Sequence, residues 1–505
     1  MPPPANTYDV VIVGGGLGGL LSAVFLAKEG MKVCVLEKDK QIGGCLQTFS
    51  LQKKVFDSCV HYIGGLGEGH TLNKIFSYAG IMDKLQLKPY DVNGFDRMTF
   101  GDEDTLYPHA IGSGNFKEQL LQYFPKEKTT LNKYINLLKT VGDHFPLYRL
   151  RMGNAAEKSA VSSWQLSKVL HEIISDNRLQ SVLTGNNLLY AGTATQTPFY
   201  LHALVLESYI HSSHKVMPGS SQISKYLWQE LLAMNGDILK DTEVTELVEE
   251  NGKISYAEVA NGERFYGKYF ISNIAPKALL QITHGPSLRP AFRNRINSLE
   301  QTTSCFMLNI VLKPRTVATR NYNIYWNSSN NTWQAVDYKQ NEWPANYAIF
   351  FTEDAENPGF AESLSVLSYM HYSEVAQWQH TMNLTAHRED RGDSYRTFKQ
   401  QRSELLMDKL YQRIPELKGN ILAHSAATPL TYRDYTATPN GSLYGILKDV
   451  NRPAETTIST RTRIPNLLLT GQNVNLHGVL GVSITAVATA AELVGMEHLL
   501  KKINA

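Results

Sequence analysis

An α/β fold is predicted: a Rossmann-type nucleotide domain built from separate stretches of chain, with an α+β domain of mixed sheet and helices inserted between them. Three features of the sequence carry that reading. An apolar run leads into a glycine-rich turn near the N-terminus, a second apolar run leads into a glycine-containing loop near the C-terminus, and two aromatic-rich, poorly periodic stretches lie between. At 505 residues the chain also exceeds the roughly 250–300 residues at which a single core stops growing, so at least two domains are expected.

The first element is Asp9-Val10-Val11-Ile12-Val13, a continuous apolar run as expected for a parallel strand buried on both faces. It passes into Gly14-Gly15-Gly16-Leu17-Gly18-Gly19, which satisfies G-x-G-x-x-G, and then into helical spacing from Leu20 to Lys28 that stops at Gly30. A second strand, Lys32 to Leu36, delivers Glu37 and Lys38 at its end. The spacing has a physical purpose. One glycine allows the tight turn, the next lets backbone approach a pyrophosphate, and the third lets helix pack on strand. Unpaired N–H groups and the dipole at the helix N-terminus attract phosphate, and the acid at the end of the second strand accepts ribose hydroxyls. Gly14, Gly16, Leu17, Gly18, Gly19, Glu37 and Lys38 are therefore candidate dinucleotide-binding residues.

The loop that follows, Gln41-Ile42-Gly43-Gly44-Cys45, places a glycine pair soon after the acid. This arrangement resembles FAD-containing proteins of the glutathione-reductase and amine-oxidase type, which makes Gly43, Gly44 and Cys45 further candidates. Ile464 to Gln472 reads as a buried strand ending at a glycine, followed by Gly478, Gly481 and a helix from Val482 to Val494. In proteins of that type such a late strand and helix return to the flavin, which implies roles for Gly471, Gln472, Gly481 and Val482 and favours non-covalent FAD over NAD.

The middle of the chain adds a third part of the same domain. A helix from Pro218-Gly219-Ser220-Ser221 to Gly236 is followed by strands at 238–239, 242–247, 254–259 and 268–273, with an Asn261-Gly262 hairpin signal between the last two. The nucleotide domain is thus predicted over 1–95, 210–285 and 415–505, and the substrate domain over 96–209 and 286–414.

Composition excludes several function classes. Lysine and arginine total 49 against 47 acidic residues, leaving no basic field to hold nucleic acid. Only 19% of residues are charged and 43% are hydrophobic, which excludes a disordered chain. The four cysteines show no CxxC or metal spacing, and His211 and His214 stand without a carboxylate or cysteine cluster, so no metal is expected. The opening MPPPANTYD lacks the basic residues of a secretory leader, and a reducing, cytoplasmic setting is expected. Val10–Ala27 and Gly471–Ala491 imitate membrane spans, but glycines crowd the first and Gln472, Asn473 and Asn475 open the second, so both read as buried segments. No G-x-S-x-G nucleophile elbow and no second G-x-G-x-x-G occur, which leaves the electron donor or acceptor unassigned.

With these residues in hand, the chain resembles the carotenoid-desaturase-like branch of the amine-oxidase flavoproteins, which includes retinol saturases and plant-type carotenoid isomerases. The resemblance rests on DVVIVGGGLGGL, IGGCLQTF, FDSCVHYIGGL at 56–66, TPLTYRDYTATPNGSLYGI at 428–446 and LLLTGQNVNLHGVLGVSITAVATAAE at 467–492. It implies an oxidoreductase on C=C bonds of a hydrophobic polyene, with saturation first and desaturation or cis–trans isomerisation as the alternative. It also implies that Val244 lies beside the adenine and that the rim touches a membrane peripherally to collect substrate. Flavin amine oxidation and a non-enzymatic prenyl-binding module like the Rab GDP-dissociation inhibitors remain open on the same scaffold. Polyene saturation needs a proton donor beside the flavin. His61 and Tyr62 follow the extended segment that passes the ring in this superfamily, and serve either as a packed, hydrogen-bonded pair or as acids. His477 precedes the flavin-facing helix, and Arg433 with Asp434 forms either an ion pair near the ring or a structural salt bridge.

Overall fold

The computed structural model describes residues 6–384 and 387–505, so the opening five residues, on which part of the leader reading rests, lie outside it. Its first sheet has seven strands. The run of valines and isoleucine forms Thr7–Val13, and the next apolar run forms Val33–Leu36, with Asp237–Leu239 parallel outside it. On the other side Thr7–Val13 pairs in parallel with Arg264–Ser272. That long strand divides its partners. Its first residues close the antiparallel meander Val244–Glu250, Lys253–Val259, while its last three pair in parallel with Leu467–Leu469.

Register brings the strand ends into one row. Leu239 is opposite Leu36, Leu36 opposite Val13, Val13 opposite Ser272, and Ser272 opposite Leu469. Gly14, Glu37, Asn273 and Thr470 therefore leave the sheet side by side, at the carboxyl ends where open α/β sheets bind ligands.

The structure differs from the sequence expectations at several ends. The fingerprint helix spans Leu17–Lys28 and the last flavin-type helix Gly478–Val494, each beginning about a turn earlier than the apolar spacing indicated, because glycines tolerate the first helical turn. The late strand shrinks to Leu467–Leu469. Both span-like segments are buried, and no helix among the described residues is long and apolar enough to cross a membrane.

The second sheet runs in the order Ile421–Ala427, Ser304–Leu312, Ala361–Met370, Asn346–Glu353, Asn323–Asn327, Asp96–Phe100, Tyr107–His109. Its membership corrects the boundary placed at 415, since Ile421–Ala427 pairs with Ser304–Leu312 along most of its length. Helices Lys128–Asp143 and Phe199–His211 pack on one another beside it. A small sheet of Ile63–Gly64, Ser213–Val216 and Leu87–Pro89 bridges the two parts.

Two buried polar side chains fasten remote segments. Asp57 Oδ1 accepts from both the N–H and the hydroxyl of Ser220, each at 2.7 Å, joining the Thr48–Asp57 hairpin to the helix Ser221–Ala233. Asn466 accepts from the N–H of Ile254 at 2.9 Å and donates to the carbonyls of Ile254 at 2.8 Å and Lys268 at 3.2 Å, standing in for a strand at the fork of the sheet. Replacing Asn466 with alanine leaves a buried N–H without a partner, and is expected to lower stability by about 2 kcal/mol in urea unfolding followed by circular dichroism.

Candidate active site

The site begins at the glycine turn. Gly14 takes a φ of +99°, which favours glycine. A Cβ on Gly19 would sit 2.2 Å from the Gly14 carbonyl, and one on Gly18 would sit 2.6 Å from Asn273 Oδ1 and 3.0 Å from the Gly471 nitrogen. The absent side chains thus let helix, sheet end and C-terminal loop meet at one point. Asn273, which sequence reasoning treated only as a strand end, donates to the Gly14 carbonyl at 3.2 Å. Leu17 opens the helix, whose first N–H groups face this point.

Glu37 is buried beside the turn, accepting from the N–H of Gly15 at 2.8 Å and of Asp39 at 2.9 Å; burial raises its carboxyl above the ordinary range. Lys38 reaches the Asp434 carbonyl at 3.4 Å. The glycine pair packs directly on the fingerprint: Gly43 donates to the Gly15 carbonyl at 2.8 Å, and a Cβ on Gly44 would touch Gly16 at 3.4 Å. Val244 is buried at the start of its strand. A dinucleotide fits these residues, because the crowded glycines provide a cradle that side chains would fill and the acid stands at the end of the adjacent strand.

A cavity lies between the C-terminal loop and the second sheet. Its walls include Cys45 and Cys59 to Gly64 from the hairpin side, Gln472 and Leu476 to Gly481 from the C-terminal loop, and Leu204, Val205 and Tyr209 from the helix Phe199–His211. Tyr325, Ala348, Phe350 and Leu367 close it from the second sheet. A Cβ on Gly481 would lie 2.6 Å from the Leu476 carbonyl, so that glycine allows the loop to turn into the helix that carries Val482. Cys45, a cofactor-binding candidate, and Cys59 are hydrogen-bonded to one another in the cavity wall; that bond holds Cys45 below the ordinary thiol value.

The candidate proton donors fare differently. His61 is buried and stacks on Phe350 with ring centroids 4.4 Å apart, while its Nε2 has no partner. Burial drives its imidazole down to about 3, so the ring is neutral near pH 7. His477 donates from Nε2 to the Leu189 carbonyl at 2.9 Å and lies over Tyr444; burial lowers it to about 4. Tyr62 donates to Asp96 Oδ2 at 2.7 Å and shares a hydrogen bond of 2.7 Å with Tyr325.

Arg433 is corrected. It is absent from the cavity wall, and its guanidinium donates to the carbonyls of Gln379 (2.6 Å) and Thr381 and pairs with buried Asp434. Asp434 pairs on its other side with buried Arg391. A carboxylate held between two arginines is a structural lock for the 379–391 loop, because removing either partner would strand a buried charge. Among the described residues no group of histidines, cysteines and acids could hold a metal.

Residues 12–79 match a model of the NAD(P)-binding Rossmann-like domain. All-trans-retinol 13,14-reductase of Rattus norvegicus is 27% identical, the alignment spanning 94% of this chain and 83% of that protein. The chain is a relative of these reductases. The carotenoid side of the resemblance is present too: a chloroplastic prolycopene isomerase of an Oncidium hybrid is 22% identical over 87% of this chain and 76% of its own. In fold, an oxidoreductase from Methanosarcina mazei superposes with a TM-score of 0.65 at 15% identity, over 94% of this chain and 98% of that one. The family resemblance read from the sequence therefore holds along nearly the whole chain, including the middle, where the motifs were silent.

Two outcomes follow from the geometry. Gly19→Ala should force helix and strand apart and weaken dinucleotide retention about tenfold or more, equivalent to about 1.4 kcal/mol, measured by titrating the stripped protein with FAD. Arg433→Met should lower the thermal midpoint while leaving FAD affinity unchanged; weakened FAD binding in a folded Arg433→Met protein would restore Arg433 to the site.

Proposed function

We propose that the chain is an FAD-dependent oxidoreductase acting on a C=C bond of a hydrophobic polyene of the retinol or carotenoid class, in the direction of saturation. The observation that carries the reading is the continuity of one cavity. Cys45, Gln472 and Leu476 to Gly481, from the loops that adjoin the glycine cradle, wall it on one side, and aromatic and aliphatic side chains of the second sheet and the helix Phe199–His211 wall it on the other, with hydroxyls at one place. Similarity to the retinol reductases along the chain supports the substrate class.

FAD fits the residues present. The N–H groups at the start of Leu17–Lys28 would hold the pyrophosphate, Glu37 the ribose, Val244 the adenine side, and the Gly471–Gly481 loop the ring. Bound there, FAD supplies hydride exchange, and the protein supplies orientation, electrostatics and the exclusion of water. Phe350, Leu204, Leu367 and Leu476 keep the reacting carbons dry. Neutral His61 and His477 place no cation against a long apolar substrate and support the walls through stacking and the Leu189 bond.

The relation to prolycopene isomerase keeps a second reading in view, isomerisation on the same walls. Two measurements test the proposal. The purified protein should show flavin absorption bands that pass into the filtrate after denaturation, as expected of non-covalent FAD. Under anaerobic reduction with a chemical donor, all-trans-retinol or a carotenoid should gain two hydrogens by mass. Unchanged mass with altered geometry would turn the reading to isomerisation, loss of two hydrogens to desaturation, and peroxide release with amines to amine oxidation.

A further inference from the structure

Asp96 is fully buried in the first residue of the strand Asp96–Phe100. Two other buried carboxylates have strong partners: Asp434 has two arginines, and Asp57 has two donors from Ser220 with Lys215 nearby. Asp96 has no cation paired with it among the described residues. It accepts from Asn323 Nδ2 at 2.9 Å and from the Tyr62 hydroxyl at 2.7 Å, with Asn186 also in reach. Tyr90 and Tyr209 are near enough to feel its charge, and burial raises both. Its cross-strand neighbour His109 stays neutral, its imidazole pushed down to about 3 by burial, with Nε2 donating to the Val182 carbonyl. Desolvation without a compensating cation favours the neutral acid, and the Asp96 carboxyl is raised to about 7.

The acid does not touch the cavity, but its hydrogen-bonded chain does. From Asp96 the line passes through the Tyr62 hydroxyl to the Tyr325 hydroxyl, two links of 2.7 Å, and both tyrosines line the cavity; Tyr62 donates to the ionised carboxylate, and with the acid neutral the same contact runs from the Asp96 O–H to the Tyr62 oxygen and on to Tyr325. We propose that Asp96, Tyr62 and Tyr325 are the proton path of the reaction, Asp96 holding the proton and the two hydroxyls passing it to the substrate carbon next to the one that exchanges hydride.

The inference rests on the polyene-oxidoreductase reading and supplies its missing half. In saturation, reduced FAD held in the cradle would supply hydride to one alkene carbon, and the neighbouring carbon would take H⁺ from a tyrosine hydroxyl. That hydroxyl is reprotonated along the chain, and Asp96 ends as the carboxylate until solvent returns its proton. Because Asp96 acts through the tyrosines it is a positioning and proton-holding residue, while Tyr62 and Tyr325 are the groups that meet substrate. The same line conducts in reverse, with an ionised Asp96 drawing a proton inward. The pH dependence therefore reports the direction of flow: a donor must be protonated, so saturation falls as pH rises through about 7, and proton abstraction does the opposite.

The test uses the full-length flavoprotein in two arms. Infrared difference spectra without substrate should show a protonated-carboxyl C=O band that disappears as pH rises through about 7 and is missing in Asp96→Asn. In single-turnover reduction of all-trans-retinol, the wild-type rate should fall about tenfold per pH unit above that point. Asp96→Asn should abolish the inflection and slow the step by about 10²–10⁴-fold. Tyr325→Phe should slow it similarly while leaving the infrared band in place, a pattern that a merely structural tyrosine would not give. The absence of the band, or an inflection surviving in a folded Asp96→Asn protein that binds FAD normally, overturns the proton path whether or not the protein reduces polyenes. A protein that shows the band but transforms no polyene fails the functional reading, and with it the path's role in that reaction.

Discussion

The architecture depends on a close approach that only missing side chains permit. At the start of the helix Leu17–Lys28, Gly18 and Gly19 press against Asn273 and the Gly14 carbonyl, and Gly471 arrives within van der Waals distance from the far end of the chain. Neither the helix dipole nor the buried Glu37 could be aimed at a common point if those backbones stood a methyl group further apart. The row of strand ends from Leu239 to Leu469 serves the same convergence, since it sets five departing segments at one level.

From that point the molecule changes character. The nucleotide side is built from backbone N–H groups and one carboxylate, whereas the cavity beyond it is built from side chains of the second sheet and the helix Phe199–His211. Burial governs the titratable groups there. It neutralises His61 and His477, and behind the wall it raises Asp96, which has no cation, to about 7, while Asp434 is held between Arg391 and Arg433 away from the cavity. An uncharged space that retains one exchangeable proton at its edge is chemically suited to a substrate that is itself uncharged.

What the sequence disclosed divides along the same line. The glycine turn, Glu37, the Gly43-Gly44 loop and the C-terminal loop were legible because each expresses a local backbone requirement within a few residues. The polar line was not. Tyr62 was noticed, but its partners stand 34 and 263 positions away, and no local pattern announces such a contact. The one available signal was the phase of Asp96 with Met98 and Phe100, which puts an acid on an otherwise apolar, buried face of its strand. Arg433 misled for the converse reason: an arginine next to an acid in a motif-rich stretch reads as function, yet Arg391, forty-three positions from Asp434, makes it a lock. The strand Ile421–Ala427 was placed in the wrong part because only its pairing with Ser304–Leu312 identifies its sheet.

The fork in the strand Arg264–Ser272 has a consequence for the order in which the molecule is made. The glycine fingerprint is complete at Gly19, but the strand Leu467–Leu469 that completes the parallel row, and the loop that closes the cavity, follow more than 400 residues later and so are synthesised long after it. Until then the last three residues of Arg264–Ser272 present an unpaired apolar edge, the kind of surface that invites misassociation. Contacts of such sequence separation are slow to form, so the completion of the nucleotide pocket waits on the pairing of Phe270–Ser272 with Leu467–Leu469.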